Sequence, residues 1–251
     1  AREFHFDHVF GPQASQADVY DVVGGPIVSG VLEGYNGTVL AYGQTGTGKT
    51  HTMGILDRVT GEHRGLIPRA LSHIFGHVAS TASSFSWRVT MTFLQIYLEN
   101  VHDLLATHFI KEEEPQAWAS LHSLPVREDP RRGFFVEGAR EFEVRSFDEA
   151  VELLNWGLGN RVMGATKMNL SSSRSHTLLI TKLHRAPLPT TSATSATSTS
   201  SSLRASLMLV DLAGSERVAR TASAGSRLEE AKAINTSLSA LGNVIAALAD
   251  R

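Results

Sequence analysis

The segment Gly43-Gln44-Thr45-Gly46-Thr47-Gly48-Lys49-Thr50 constrains this chain more than any other stretch. It fits the pattern G-x4-G-K-[ST]. A β-prone run, Thr38-Val39-Leu40-Ala41-Tyr42, precedes it, and Lys49-Thr50-His51-Thr52-Met53 reads as the start of a helix. Strand, Gly-rich loop and helix in that order form a phosphate-binding unit. Glycines let backbone N–H groups curl around phosphate oxygens without a Cβ clash. The helix after the loop adds its unpaired N-terminal amides and the positive end of its dipole. In such a unit Lys49 places a point charge on the β- and γ-phosphates, and the Thr50 hydroxyl is a ligand for Mg²⁺. A plain glycine-rich turn is the competing reading, and the flanking strand and helix argue against it. The loop alone specifies a nucleoside triphosphate and nothing finer.

Composition removes several other classes. The chain of 251 residues has no cysteine, which excludes disulfide scaffolds, thiolate metal sites and cysteine nucleophiles. Lys+Arg at 23 against Asp+Glu at 25 leaves a net charge of −2 and no global basic field, so broad nucleic-acid binding is not expected. No apolar run approaches the ~18 residues of a membrane span. The 11 histidines lack the His-Glu-x-x-His spacing, and no zinc site is expected. The chain does not begin with Met and ends inside the apolar periodic run Leu241 to Leu248, so it reads as a fragment of a longer protein.

Periodicity supplies the remaining elements. Val19, Val22, Val23, Ile27, Val31 and Leu32 recur at helical spacing despite Gly24-Gly25-Pro26. Pro68 suits the first position of a helix whose buried face is Leu71, Ile74, Phe75 and Val78. Trp87 to Tyr97 predicts a long strand buried on one face, then on both; Val126 to Val144 predicts a hairpin region. Asp148 is expected to cap a helix carrying Ala150, Val151, Leu153 and Leu154. Thr177 to Leu183 and Leu207 to Val210 read as strands, and a last helix is expected from about Glu229. Between the two strands, about 187–204, lies a tract dominated by Ser, Thr and Ala that is expected to be a disordered loop inserted in one domain. Glu112-Glu113-Glu114-Pro115 marks another loop.

Two further motifs face a nucleotide. Leu207 to Val210 ends in Asp211-Leu212-Ala213-Gly214-Ser215-Glu216. An Asp at a strand tip can hold the water shell of Mg²⁺, and a Gly three residues on can offer its N–H to a γ-phosphate. That contact is lost on hydrolysis, which would make the segment a switch. A strand end followed by a turn is the simpler alternative. The stretch Asn169-Leu170-Ser171-Ser172-Ser173-Arg174-Ser175-His176 could be a solvated loop, but it contains Arg174 and His176. A guanidinium fork suits either a carboxylate or a phosphate.

Taken together, these motifs resemble the kinesin motor domain. Gly43–Met53, Asn169-x-x-Ser172-Ser173-Arg174-Ser175-His176 and Asp211–Glu216 match in order and spacing. So do Gly34–Thr38, Gly65–Arg69, Ile96-Tyr97-x-Glu99 and Asn235-x-Ser237-Leu238-Ser239-Ala240-Leu241-Gly242. The resemblance covers residues 1–251 as one motor domain, and implies a P-loop NTPase with a central, mostly parallel sheet flanked by helices on both faces. Around Leu228–Lys232 it is closer to armadillo-repeat-type kinesins. Relative to the family pattern, an Arg-x-Arg-Pro strand at the start and an Arg-Asp-Ser-Lys-Leu-Thr segment at the end are missing, and Gln95 stands where many members carry Glu.

The resemblance implies an ATPase stimulated by microtubules, with ATP and Mg²⁺ as its ligands and the cytoplasmic microtubule cytoskeleton as its place of work. Gly43, Gln44, Thr45, Gly46, Thr47, Gly48, Lys49 and Thr50 would hold the phosphates, with Tyr35 and His51 near the adenine. Tyr35 as a core residue and His51 as a helix-surface residue are the alternatives. Ser172, Ser173 and Arg174 would form the first switch and Asp211, Gly214 and Glu216 the second, with Thr50, Ser173 and Asp211 toward Mg²⁺. Arg174 and Glu216 would pair when the loops close, and Asn235 would sit on the helix that relays the switch. Arg217, Arg220, Arg227 and Lys232 would face tubulin; a solvated charged face is the alternative. No nucleic acid and no membrane insertion are expected. The competing function is a truncated nucleotide- or microtubule-binding module without turnover.

Overall fold

A computed structural model describes residues 3–55, 61–106, 123–131, 133–168, 174–188, 202–216 and 226–249, and the side chains of these except 162–168 and 226–235. Helix α1 (Gln16–Val19) starts at a capping box, in which the Ser15 side chain accepts from the Asp18 amide and Asp18 accepts from Ser15. It runs through a π-helical turn, Tyr20–Gly24, into α2 (Gly25–Glu33). The Tyr20 ring occupies the space beside Gly24 that a Cβ would need, 2.7 Å from its position. This explains how an apolar stripe at helical spacing survives Gly24-Gly25-Pro26.

Strand β1 (Gly37–Ala41) leads through the Gly-rich loop into α3 (Lys49–Met53). Helix α4 (Leu66–Thr81) begins two residues before Pro68, so that proline sits within the first turn, where its missing N–H costs nothing. Strand β2 (Phe85–Tyr97) is exposed on one face at its start and buried on both near its end, as its sequence pattern predicts. A tight turn returns it into β3 (Asn100–Asp103), with Leu98 and Glu99 both left-handed, at φ 47° and 61°.

The expected hairpin is β4 (Val126–Asp129) with β5 (Gly133–Val136), whereas β6 (Phe142–Val144) leaves it to pair with β2. Helix α5 (Phe147–Met168) comes next. Its cap is Ser146 rather than Asp148: the Ser146 hydroxyl accepts from the Glu149 amide at 3.1 Å, and the Glu149 carboxylate accepts from the Arg145 amide at 2.7 Å. Strands β7 (His176–Pro187) and β8 (Leu203–Asp211) pair antiparallel, in register from Thr177↔Asp211 to Arg185↔Leu203. The disordered loop expected at about 187–204 is corrected at both ends, because Pro187 closes β7 and Leu203 and Arg204 open β8, pairing across the hairpin; 189–201 lie outside the described residues. Helix α6 (Ser226–Ala249) starts earlier than Glu229.

The sheet order is β1-β8-β7-β2-β3, with β6 also on β2. The expectation of a mostly parallel sheet is corrected here. Among the described strands only β1 and β8 run parallel, and every other pairing is antiparallel. Antiparallel neighbours need only a short return, as at the β2–β3 turn, while a parallel pair needs a crossover. One face of the sheet, with Met91, Phe93, Leu179, Leu207 and Leu209, is buried with Val31, Leu71, Ile74 and Leu154 from the helices. Each such side chain contributes about 1.5–3 kcal/mol by leaving water. The parallel pair matters most for nucleotide chemistry, because it sets the tips of β1 and β8, Ala41 and Asp211, side by side.

Candidate functional site

The glycines at 43, 46 and 48 take left-handed or otherwise positive φ values of 154°, 85° and 92°. A chain with Cβ atoms there would resist that curl. Gly48 is the residue before α3, so the loop opens onto that helix's first amides. Lys49 lies back across the loop: its Nζ donates to the carbonyls of Gly43 at 2.8 Å and Gln44 at 2.9 Å. The Thr47 hydroxyl donates to the Gln44 carbonyl at 2.8 Å.

Strand β8 delivers the second motif against this loop. The Leu212 amide donates to the Ala41 carbonyl at 3.2 Å, and the Ser215 amide to the Gly43 carbonyl at 3.1 Å. The Thr50 hydroxyl donates to Asp211 Oδ2 at 2.7 Å. The other carboxylate oxygen, Asp211 Oδ1, is buried without a hydrogen-bond partner. A buried orphan acceptor calls for a missing donor or cation. A hydroxyl, a carboxylate with a spare oxygen and a phosphate cradle are the hard oxygen donors that suit Mg²⁺. The residues present therefore fit that ion together with a nucleotide's phosphates. Among the described residues no group of three or more His, Asp or Glu could hold a metal by itself.

Glu216 closes the loop from above. Its carboxylate accepts from the Thr45 amide at 2.9 Å and from the Thr45 hydroxyl at 2.6 Å. Gly214 lies beneath this latch: a Cβ there would sit 2.3 Å from both Glu216 Oε2 and Thr45 Oγ1. Partial burial pushes the Glu216 carboxyl up, but the two Thr45 bonds, its own amide and Lys49 together hold it below the ordinary value. Here both Glu216 oxygens accept from Thr45.

One site residue escapes the sequence reading. Arg161, on α5, reaches Asp211 Oδ2 at 3.7 Å with its side chain 6% exposed. Burial raises the Asp211 carboxyl and lowers the Arg161 guanidinium, each against the attraction of the other. Arg161 lies seven residues after the buried Leu154 and so falls on the apolar stripe of α5. That position was the available signal.

His51 is exposed, yet Gln16, 8% exposed, holds it: Gln16 Nε2 donates to the His51 carbonyl at 2.7 Å and lies 3.1 Å from its Nδ1. Tyr35 is 70% exposed, which removes the core alternative for it. At the start of β7, Gln95 Nε2 donates to the Ser175 hydroxyl at 2.9 Å, both buried. His176 is next in the chain, with the Ala213 amide donating to its Nδ1 at 3.1 Å and the Ser237 hydroxyl 3.0 Å from its Nε2. Ser172, Ser173, Arg217 and Arg220 lie outside the described residues, and the side chains of Arg227, Lys232 and Asn235 are likewise not described. A cavity of ≈ 670 Å³ opens elsewhere, lined by Arg88, Lys182, His184 and Arg204. No phosphate-loop residue lines it, and the chemistry lies at the loop.

Comparison with known proteins agrees with this geometry. The family model described as the kinesin motor domain matches residues 1–251. A kinesin heavy chain of Syncephalastrum racemosum is 42% identical over 247 residues, covering 98% of this chain and 24% of that protein. The kinesin-like protein KIN-UA of Oryza sativa subsp. japonica is 43% identical over 258 residues, covering 98% of this chain and 26% of that protein. A solved structure of a fast kinesin superposes with a TM-score of 0.83 at 40% identity, covering 98% of this chain and 64% of that one. A KIF14 dimer with AMP-PNP in complex with a microtubule gives 0.77 at 37%, covering 94% and 62%. The chain thus spans about a quarter of these two curated relatives. Similar identities to heavy chains and kinesin-like proteins do not single out a subfamily.

Proposed function

This chain belongs to the kinesin motor-domain family, and on that premise we propose that it is an ATPase whose turnover is stimulated by microtubules and drives force or movement along them. The observation that carries the reading is the 2.7 Å bond between Thr50 and Asp211, which joins the phosphate loop to the tip of β8. Phosphoryl transfer depends on positioning and charge stabilisation rather than on a strong base. The chain's residues are suited to that. Gly43–Thr50 would bind and orient the triphosphate, and Lys49 would leave the loop carbonyls for the β- and γ-phosphate oxygens. Thr50, Asp211 and Ser173 would hold Mg²⁺, which supplies charge neutralisation at the phosphates. The Gly214 amide would take the γ-phosphate once Glu216 releases Thr45. Glu216 would then be free for Arg174, and the pair would exclude solvent and orient the attacking water.

Tyr35 and His51 are proposed to flank the adenine, with Gln16 fixing the His51 ring. Asn235 is proposed to act on α6 in relaying the switch. Arg217, Arg220, Arg227 and Lys232 are proposed to meet the acidic tubulin surface, where local rather than net charge governs docking. The work would be done on cytoplasmic microtubules.

The test is MgATP hydrolysis with and without polymerised tubulin, beside Lys49→Ala. Stimulation by microtubules that falls at least about a hundredfold in the variant supports the motor. Nucleotide binding by a folded chain with no turnover in either condition would favour a binding module.

A further inference from the structure

We infer that His176 is the positioning residue that ties the second nucleotide switch to helix α6, an inference that rests on the motor reading above. The imidazole is 8% exposed and lies between three elements. It stands at the first position of β7. Its Nδ1 accepts the Ala213 amide, two residues beyond Asp211, and its Nε2 meets the Ser237 hydroxyl on α6.

The protonation pattern is set by the partners. A ring nitrogen that accepts a backbone N–H carries no proton, so a neutral ring has its proton on Nε2 and donates it to Ser237. A protonated ring would set an N–H against the Ala213 N–H. The two bonds therefore have a fixed polarity, from switch amide through ring to helix hydroxyl. Burial, which holds the imidazole below its ordinary value, favours the same neutral form.

Geometry makes this contact a coupler. Along β7, His176 shares a face with Leu178 and Ile180, opposite the one that places Leu179 in the main core. From that side the ring reaches Ser237 of α6. Any shift of Ala213 when Gly214 and Glu216 change partners reaches α6 through one rigid ring.

Two variants test it. Ser237→Ala removes the helix end of the bridge. His176→Asn keeps an acceptor where Nδ1 stands and is too short to reach Ser237. Hydrogen exchange of the amides of 236–249 is compared between the MgADP and MgAMP-PNP states, with the affinity for both nucleotides measured in parallel. Wild type is expected to show a nucleotide-dependent change in α6. Both variants should bind nucleotide normally, lose that change, and lower the ratio of microtubule-stimulated to basal turnover at least about fivefold. The double variant should be no worse than either single one, since both cut the same link.

A purely structural role would instead lower affinity, basal rate and thermal stability together. Helix exchange in the variants that responds to nucleotide as in wild type overturns the inference. So does additivity of the two losses. Failure of the motor reading shows separately, as a wild-type chain that binds nucleotide and moves α6 but gains nothing from microtubules.

Discussion

The Asp211 end of β8 and helix α6 meet opposite demands. At the strand tip, backbone bonds from Leu212 and Ser215, the Thr50–Asp211 bond and the Glu216–Thr45 latch fasten residues 211–216 to the phosphate loop. Asp211 itself is 1% exposed and has Arg161 beside it. Helix α6 is 24 residues long, yet its apolar residues Val244, Ile245 and Leu248 face solvent. A site for positioning gains from rigid, satisfied contacts. An element that must move gains from few of them. The difference teaches that the contacts around the phosphate loop are built in, whereas helix α6 meets β7 at the His176 ring.

Substitutions at the two places should therefore differ in size. The largest effect is expected for Arg161→Met. Removing one partner of a buried pair costs about 3 kcal/mol, because Asp211 is left buried without its cation. Asp211 already has a raised pKa, so its native state holds a proton above the range where the unfolded chain has lost it. Its stability contribution is present below the unfolded value and is lost as pH rises through the folded one. Without Arg161 that folded value goes higher, and denaturation midpoints should fall more steeply between acid and neutral pH than in wild type. A flat difference across that range would break the argument.

Glu216→Gln comes next. Charge-assisted bonds to Thr45 become neutral ones, with a loss of about 1 kcal/mol or less at this partly exposed site. The wild-type carboxylate has a lowered pKa. Its contribution is thus fully present above the unfolded value and disappears as pH falls through the folded one. The Gln variant should lack that acid limb in a pH series of unfolding midpoints.

The smallest effect belongs to Ile245→Ser. Its side chain is half exposed, and the change should stay within about 0.5 kcal/mol in urea unfolding. A loss as large as that of Arg161→Met would mean that α6 is core after all.

Much of this was legible in the residues. Gly43–Thr50 and Asp211–Glu216 carry their geometry in their residue types, and the apolar runs at 87–97, 177–183 and 207–210 show the middles of strands that extend to 85–97, 176–187 and 203–211. Strand direction does not: alternation reports which face is buried and is silent on which way the neighbour runs, and among the described strands the pairings are mainly antiparallel. Arg161 was missed because a lone arginine in a helix ordinarily reads as solvated, and only its distance from Leu154 betrays burial. The cap at Ser146 was missed because Asp148, an equally good capping type, stands two residues later. The Glu216–Thr45 latch was invisible because its partners lie 171 residues apart.

Native-state hydrogen exchange without nucleotide tests the contrast most directly. The amides of Leu207 and Leu209 in β8 should exchange only through global unfolding, while those of Val244 to Leu248 exchange by local opening, orders of magnitude faster. Protection of α6 equal to that of β8 would contradict the account.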